Sequence, residues 1–247
     1  MSAPEFLTPQ WPAPPNVRAA FTLRQGGVSL APYASLNLAM HVGDEPSAVA
    51  DNRRRVREAL SLPAEPVWLT QVHGADVIAL DELSSASSHH ADAVVSHSPN
   101  HVCAIQVADC LPVLFAARDG SAVAAAHAGW RGLAGGVLEA AVRRMKVEPS
   151  QLIAWLGPAI GPASFEVGGE VRAAFVAHDS AAAMAFAAND RERWQCDIYS
   201  LAYQRLEALG VQAVFGDRGL DTYADPQRFF SFRRDGRCGR MAALIWT

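Results

Sequence analysis

The sequence predicts a single domain of the α/β or α+β class. Short apolar, strand-like runs alternate with helix-like periodic segments, a pattern typical of strands and helices that share one core. No internal repeat, linker or shift in composition marks a domain boundary. A chain of 247 residues that is 50% hydrophobic and 19% charged is also ordinary for one large soluble domain.

The N-terminal half contains predicted elements of both kinds. Residues 1–16 are rich in proline and are expected to be extended, and a strand is predicted over residues 17–23. Apolar residues recur on one helical face over residues 47–60. The stretch "PVWLTQVHGADVIAL" predicts two strands hinged at His73-Gly74, and "SSASSHH" predicts a surface loop before a strand at residues 93–96.

The predicted core begins at residue 101. "HVCAIQV", "LPVLFAA" and "SAVAAAHAG" are apolar runs typical of buried strands, with a hairpin turn at Asp119-Gly120 between the last two. A helix is expected after Gly132, and "LIAWLGPAI" predicts another buried strand. Helices are predicted at residues 167–178 and 198–209, and the final "FFSFRRDGRCGRMAALIWT" predicts a hairpin.

Charge and cysteine content exclude several classes of function. A net charge of −4 without a basic cluster longer than three residues argues against nucleic acid. The start of the chain lacks the features of a signal peptide, and no apolar run is long enough to span a bilayer. We therefore expect a cytoplasmic protein with reduced thiols, in which an unusual cysteine indicates chemistry or a metal.

Three residues form the candidate site. His73, Cys110 and His127 each stand where an apolar run ends or meets glycine, proline or an acid. Two imidazoles and a thiolate would suit Zn²⁺ with one position left open, or copper. The same residues could instead form a nucleophile–base pair, with Cys110 and His127 supported by Asp109. A third interpretation is that they only pack in the core.

Four further residues are candidates for the rest of the pocket. Arg131 follows "HAG" at a predicted helix start, where backbone N–H groups could hold an anion. Asn37 and His41 are polar residues in the otherwise apolar "SLNLAMHVGD", where buried groups would need partners. Arg53 lies in the short cluster "NRRRV", where a single arginine could hold a phosphate or carboxylate. The sequence contains no dinucleotide-binding, P-loop, HExxH or nucleophile-elbow motif.

Eight segments of the sequence, taken together, resemble a known family. In chain order they are "SLNLAMHVGD", "NRRRV", "LTQVHGADV", "ADAVVS", "ADCLPVLF", "AHAGWRGL", "LGPAIGPASFEVG" and "FFSFRRDGRCGRMAALI". With them the chain resembles the YfiH-type family, also described as laccase-domain or polyphenol oxidoreductase-like proteins. Members of that family are mostly described as purine nucleoside phosphorylases. The resemblance covers nearly the whole chain after Val17.

The resemblance implies a fold and an activity. The fold is a layered sandwich with two mixed sheets between helices, related to cysteine hydrolases and to toxin deamidases of the cytotoxic-necrotizing-factor type, here as one catalytic domain over residues 17–247. The reaction is zinc-dependent phosphorolysis of adenosine, inosine, guanosine or methylthioadenosine to the free base and ribose 1-phosphate, with adenosine deamination as a second activity. Purine nucleoside and phosphate are the expected partners, without nucleic acid or membrane, and the protein is expected to be a monomer or small homo-oligomer.

The resemblance also assigns residues. It places zinc on His73, Cys110 and His127, and it places Asn37, His41 and Arg53 in the surrounding pocket, with Arg131 a further candidate for phosphate. The chain departs from the family pattern at Ala163, Ser164 and Asp221, where cysteines are frequent. Those departures weaken a copper-rich phenol oxidase, which remains an alternative beside a Cys–His hydrolase that edits peptidoglycan precursors. A metal-dependent binding module without catalysis is the non-enzymatic alternative.

Overall fold

A computed structural model describes residues 2–84 and 89–247, so part of the loop predicted at "SSASSHH" lies outside the described residues. The strands are β1 Phe6–Leu7, β2 Arg18–Thr22, β3 Val77–Ala79, β4 Ala93–Ser96, β5 Val102–Val107, β6 Leu111–Ala117, β7 Val123–Ala128, β8 Leu152–Leu156, β9 Glu166–Val167, β10 Phe186–Ala188, β11 Trp194–Cys196, β12 Ala213–Phe215 and β13 Met241–Trp246. The helices are α1 Pro46–Leu60, α2 Trp130–Ala134, α3 Val137–Met145, α4 Gly169–Val176, α5 Ile198–Ala208 and α6 Phe232–Asp235.

Two large sheets form the middle of the molecule. The first has six strands in the order β12-β8-β6-β7-β4-β3, and the second has four in the order β1-β2-β13-β5. A small sheet of β10-β11-β9 lies beside them. Strands β4 to β8 are buried at every residue, and for this reason their sequences are largely apolar runs without alternation.

The core is divided into three layers by these sheets. Residues on one face of the six-stranded sheet, such as Phe115, pack with α3, α4 and α5. The opposite face, with Leu114, packs on the four-stranded sheet through residues such as Ile105. The far face of the four-stranded sheet, with Leu244, packs against Val56 of α1. The predicted arrangement of two sheets between helices is therefore confirmed.

The structure corrects the prediction in its details. Only the six-stranded sheet is mixed, since β3–β4 and β12–β8 are parallel pairs, whereas every pair in the four-stranded sheet is antiparallel. The prediction of a C-terminal hairpin is wrong, because β13 pairs with β2 and β5 and is preceded by the short helix α6. The N-terminal segment, expected to be only extended, contributes the strand β1 to the four-stranded sheet.

A strand was expected in the segment before His73, but the structure has none there. The segment makes an isolated bridge at Thr70, and β3 begins only at Val77. The Gln71 side chain takes the place of strand pairing, because its Nε2 donates to the carbonyl of Gln106 and its Oε1 accepts from the N–H of Gln106. None of the helices in the described part of the chain is long and apolar enough to cross a membrane.

Candidate metal centre

Three segments bring His73, Cys110 and His127 together where the central strands β6 and β7 of the six-stranded sheet begin and end. Cys110 comes directly before β6, and His127 lies in β7, where it pairs with Pro112 of β6. His73 lies in the loop before β3, with a left-handed φ of 60°. The bend between β5 and β6 has the same character, since Asp109 has a φ of 83°.

The side chains of these three residues converge on one point. Their candidate donor atoms all lie within 4.8 Å of one another, and Cys110 Sγ lies 4.0 Å from His73 Nε2. The two imidazole rings meet edge to face, with centroids 4.8 Å apart. His127 is buried, Cys110 is partly exposed and His73 is exposed, so the cluster opens to solvent on one side.

Asp92 holds both histidines in place through hydrogen bonds. This fully buried carboxylate accepts a hydrogen bond from His127 Nδ1 at 2.8 Å. It also accepts from the backbone N–H groups of Val72, His73 and Gly74 at 3.1, 2.9 and 2.7 Å. The bond to Nδ1 leaves Nε2 of His127 free to face the cluster, and the other three hold the loop that carries His73.

Gly129 provides the space for this convergence. A Cβ at that position would lie 2.9 Å from Cys110 Sγ and 3.2 Å from His73 Cδ2. Any side chain there would push against two of the three donors. The glycine of "HAGW" therefore has a packing role inside the cluster itself.

The electrostatics of the cluster favour a thiolate. Burial alone would raise the pKa of Cys110, but His127 and His73 outweigh that effect and lower it to about 6. Burial likewise opposes the charge on His127, while Cys110 and Asp92 raise its pKa. Cys103 and Cys196 behave in the opposite way, because burial without a nearby imidazole raises the pKa of each. Cys110 is thus the thiol prepared for ligation or nucleophilic attack.

The donor set fits a metal ion such as zinc. In a tetrahedral site with bonds of roughly 2.0–2.3 Å, donor atoms lie about 3.3–3.8 Å apart, so the donors here, which lie within 4.8 Å of one another, need to approach by at most about 1.5 Å. Two imidazoles, one thiolate and an open side agree with a catalytic site. The hydrogen bond from His127 to Asp92 is the support that metal-binding histidines usually have.

Two cavities flank the cluster. The first, here called the polar lobe, has a volume of about 200 Å³ and is lined by His41, Gln71, Gln106 and Arg240. The second, the aromatic lobe, has a volume of about 240 Å³ and is lined by the apolar side chains of Trp130, Ile160, Phe165 and Ile198. His73, Cys110 and Phe232 line both lobes, so the cluster lies at their junction.

The other predicted pocket residues are distributed around these lobes. His41 lines the polar lobe and Arg131 lines the aromatic lobe. Asn37 is fully buried, and its amide bonds to Ala39 and Asp44 and accepts from the N–H of Arg240. Arg53 lies over the Trp68 ring at 4.2 Å and donates to the carbonyl of Leu38, behind the polar lobe.

Some site residues were missed by sequence reasoning. Asp92, Phe232 and Arg240 were not singled out, and Asp109 was considered as the group that orients His127. The carboxylate of Asp109 instead accepts from Thr222 Oγ1 at 2.7 Å and from the N–H of Arg233 at 2.7 Å. The single available signal for Asp92 was an acid directly before the buried strand "AVVS".

Comparisons with known proteins identify relatives over almost the full length. Residues 18–247 match a family described as multi-copper polyphenol oxidoreductase laccase. The purine nucleoside phosphorylase YfiH of Escherichia coli K12 is 54% identical over 242 residues, with 98% of each chain covered. The purine nucleoside phosphorylase of Haemophilus influenzae is 47% identical, with 98% of this chain and 99% of that protein covered.

Solved structures agree with these relatives. A crystal structure from Neisseria meningitidis superimposes with a TM-score of 0.93 at 48% identity, and 98% of each chain is covered. The crystal structure of YlmD from Geobacillus stearothermophilus has a TM-score of 0.91 at 31% identity, with 100% of this chain and 97% of that chain covered.

Proposed function

Because the chain belongs to the YfiH-type family, the multi-copper polyphenol oxidoreductase laccase family of the matching model, we propose that it is a zinc-dependent purine nucleoside phosphorylase. The names of its relatives support an enzyme of the pentosyltransferase type. The finer parts of the proposal are a single catalytic domain over residues 17–247, the nucleosides adenosine, inosine, guanosine and methylthioadenosine, and deamination of adenosine. Cytoplasmic location and oligomeric state stay predictions.

The observation that carries the proposal is the convergence of His73, Cys110 and His127 at the junction of two lobes. These three residues would hold the metal, through Nε2 of His127 and the thiolate of Cys110. When bound, zinc supplies a Lewis acid that polarises a coordinated oxygen. His73 reaches the same point because Asp92 fixes its loop.

The chain's own residues supply binding and alignment for phosphorolysis. Holding the nucleoside and the phosphate in the reactive orientation can contribute several kcal/mol of barrier reduction. The lobes on either side of the cluster provide two binding regions of different chemistry. Asp92 and Gly129 keep the cluster in shape, the first by hydrogen bonding and the second by leaving room for Sγ.

A Cys–His hydrolase is the second candidate, and one observation favours it. Cys110, His127 and Asp92 stand in the order nucleophile, base and orienting carboxylate, with the His127–Asp92 hydrogen bond already formed. A thiol-directed electrophile separates the two functions. Labelling of Cys110 that persists in excess zinc supports the hydrolase, whereas a coordinated thiolate is protected.

The description of the matching family favours a copper phenol oxidase as the third candidate. Neither lobe is lined by a methionine that could act as a soft axial ligand, judged from the part of the chain that the structure describes. Copper-dependent oxygen uptake with phenols, together with no base released from adenosine, would replace the phosphorylase proposal by this one.

The central experiment incubates purified protein with adenosine, with and without phosphate. Chromatography resolves adenine, inosine and hypoxanthine, and metal analysis accompanies each sample. We expect adenine only with phosphate, and loss of both metal and activity in His73→Ala, Cys110→Ala and His127→Ala. Unchanged rates in all three variants contradict the ligand assignment. If no nucleoside gives a product, the proposal that the protein is an enzyme of this type is contradicted.

A further inference from the structure

Phe232 is an aromatic residue that lines both lobes. It is the first residue of α6, and 58% of its surface is exposed. Each lobe is smaller than the roughly 300–1,000 Å³ of an ordinary small-molecule pocket, which suits ligands divided between the two.

The aromatic lobe has the chemistry of a site for a flat ring. Trp130, Phe165 and Phe232 line it together with two isoleucines. Two arginines lie along these walls: the Arg131 guanidinium lies 4.6 Å from the centre of the Trp130 ring, and that of Arg233 lies 5.4 Å from the Phe165 ring. In the polar lobe the Arg240 guanidinium makes a similar contact with the Phe232 ring, at 5.6 Å. Stacking on such faces is how proteins commonly hold a base.

The aromatic lobe also contains a carboxylate. Asp109 lines it and is only 8% exposed. A buried carboxylate repels a second anion at short range. This lobe therefore suits the neutral purine better than a phosphate dianion, in spite of its arginines.

The polar lobe has the opposite character, since no acidic residue lines it in the part of the chain that the structure describes. Arg240 lines it and donates through Nη1 to the carbonyls of Cys238 and Gly239, at 2.9 and 3.1 Å. Its Nε and Nη2 have no hydrogen-bond partner among residues 2–84 and 89–247, and no carboxylate there forms an ion pair with it. The backbone N–H of Arg240 is fixed by the buried Asn37.

A second arginine adds to the positive field of the polar lobe. Burial lowers the pKa of His41, and the charges of Arg240 and Arg53 lower it further. Arg53 and Gln106 both donate to the carbonyl of Leu38, which places Arg53 directly behind the lobe wall. The lobe thus combines a positive charge with the imidazole of His41, while the amide groups of Gln71 and Gln106 bond to the backbone.

We propose that the polar lobe binds inorganic phosphate through Arg240, with His41 beside it, while the aromatic lobe binds the purine. This assignment rests on the proposed phosphorylase function. Of the two arginines that the sequence offered for phosphate, it moves the site away from Arg131, in the aromatic lobe, and toward the lobe behind which Arg53 lies. Asn37 then has a positioning role, because it holds the backbone of Arg240.

The two lobes agree with the geometry of the reaction. An oxygen of hydrogen phosphate gives an electron pair to C1′ of the ribose, and the C1′–N9 bond breaks with its pair going to the base. The base nitrogen takes up the proton that the phosphate brought, so nucleoside and hydrogen phosphate become ribose 1-phosphate and free base. In a direct displacement the incoming and leaving groups lie on opposite sides of C1′, and two adjoining lobes that share His73, Cys110 and Phe232 provide separate places for them.

The test compares Arg240→Gln with Arg131→Gln in the metal-loaded protein. The KM for phosphate and the KM for nucleoside are measured separately, and the binding of inorganic phosphate alone is measured by calorimetry. We expect Arg240→Gln to weaken phosphate binding and raise its KM about 10- to 100-fold, the usual effect of losing charge-assisted hydrogen bonds, with the nucleoside KM changed less than about threefold. Arg240→Lys should recover part of the loss.

The control for net charge is Arg143→Gln, an exposed residue on α3 that lines neither lobe. Thermal unfolding of every variant separates loss of binding from loss of fold. A raised phosphate KM in Arg131→Gln but not in Arg240→Gln overturns the assignment. Absence of phosphate binding to the wild type by calorimetry overturns it as well. Phosphate binding that depends on Arg240 without any base release leaves this subsite standing and removes the phosphorylase proposal instead.

Discussion

Replacing Asp92 by asparagine removes the negative charge that supports both histidines of the cluster. The two carboxylate oxygens accept four hydrogen bonds: Oδ1 from His127 Nδ1 and the N–H of His73, and Oδ2 from the N–H groups of Val72 and Gly74. An asparagine has one acceptor oxygen, so its NH₂ group faces two of these donors in either orientation.

The expected cost follows from this count. Hydrogen bonds to a charged group contribute roughly 1.5–3 kcal/mol each, so the loss of two sets an upper bound of about 6 kcal/mol. Local rearrangement of the loop reduces this, and we expect the free energy of unfolding to fall by about 3 kcal/mol. That leaves a domain of ordinary stability folded. Metal affinity should fall about 10- to 100-fold, as is usual when the support of a metal-binding histidine is lost.

Two measurements check the Asp92 prediction. Urea unfolding of metal-free protein, followed by tryptophan fluorescence, gives the stability, and competition with a chromophoric chelator gives the zinc affinity. Asp76→Asn is the matched control, because it removes the same charge from an exposed side chain in the same loop. If Asp92→Asn equals the wild type in both measurements, Asp92 does not hold the cluster and the reasoning is refuted.

Three further predictions concern the surroundings of the site. Gly129→Ala should lose most of its bound metal while keeping its circular dichroism spectrum, because the added Cβ would lie 2.9 Å from Cys110 Sγ. Tyr199→Phe should lower the free energy of unfolding by about 1–2 kcal/mol in urea, since the buried hydroxyl accepts from the N–H of Ala159 at 2.9 Å. Burial raises the pKa of Asp81, but hydrogen bonds from Ser98 and His97 outweigh this and lower it to about 2. Above pH 4 the free energy of unfolding of the wild type should therefore exceed that of Asp81→Asn by about 1–2 kcal/mol. This difference should shrink as the pH falls from 4 to 2.

Each of these predictions has its own contrary result. Full metal content in Gly129→Ala would show that the cluster adapts to a methyl group. Wild-type stability in Tyr199→Phe would show that the N–H of Ala159 finds another acceptor. An Asp81→Asn difference that is constant from pH 2 to pH 6 would show that the carboxylate is not held in its ionised form.

Local pattern was sufficient for much of the fold. The strands β4 to β8 and the helices α1, α4 and α5 lie close to their predicted positions, because a buried apolar run or an amphipathic period has few alternatives. The C-terminal hairpin failed for a non-local reason: β13 finds its partners in β2 and β5, far away in sequence. The strand expected before His73 failed because the Gln71 side chain, rather than backbone, bonds to Gln106.

The sequence by itself determined the family, the class of fold and the three residue types that could form the cluster, since these depend on short blocks such as "QVHG", "ADC" and "HAGW". Only the tertiary structure decided which carboxylate serves His127, namely Asp92 and not Asp109. The polar lobe likewise joins Arg240, at the end of the chain, to His41 near its start. The physical reason is the same in both cases. Hydrogen bonds and short-range electrostatic interactions act over a few ångströms, and folding places residues within that distance although they are far apart in the sequence.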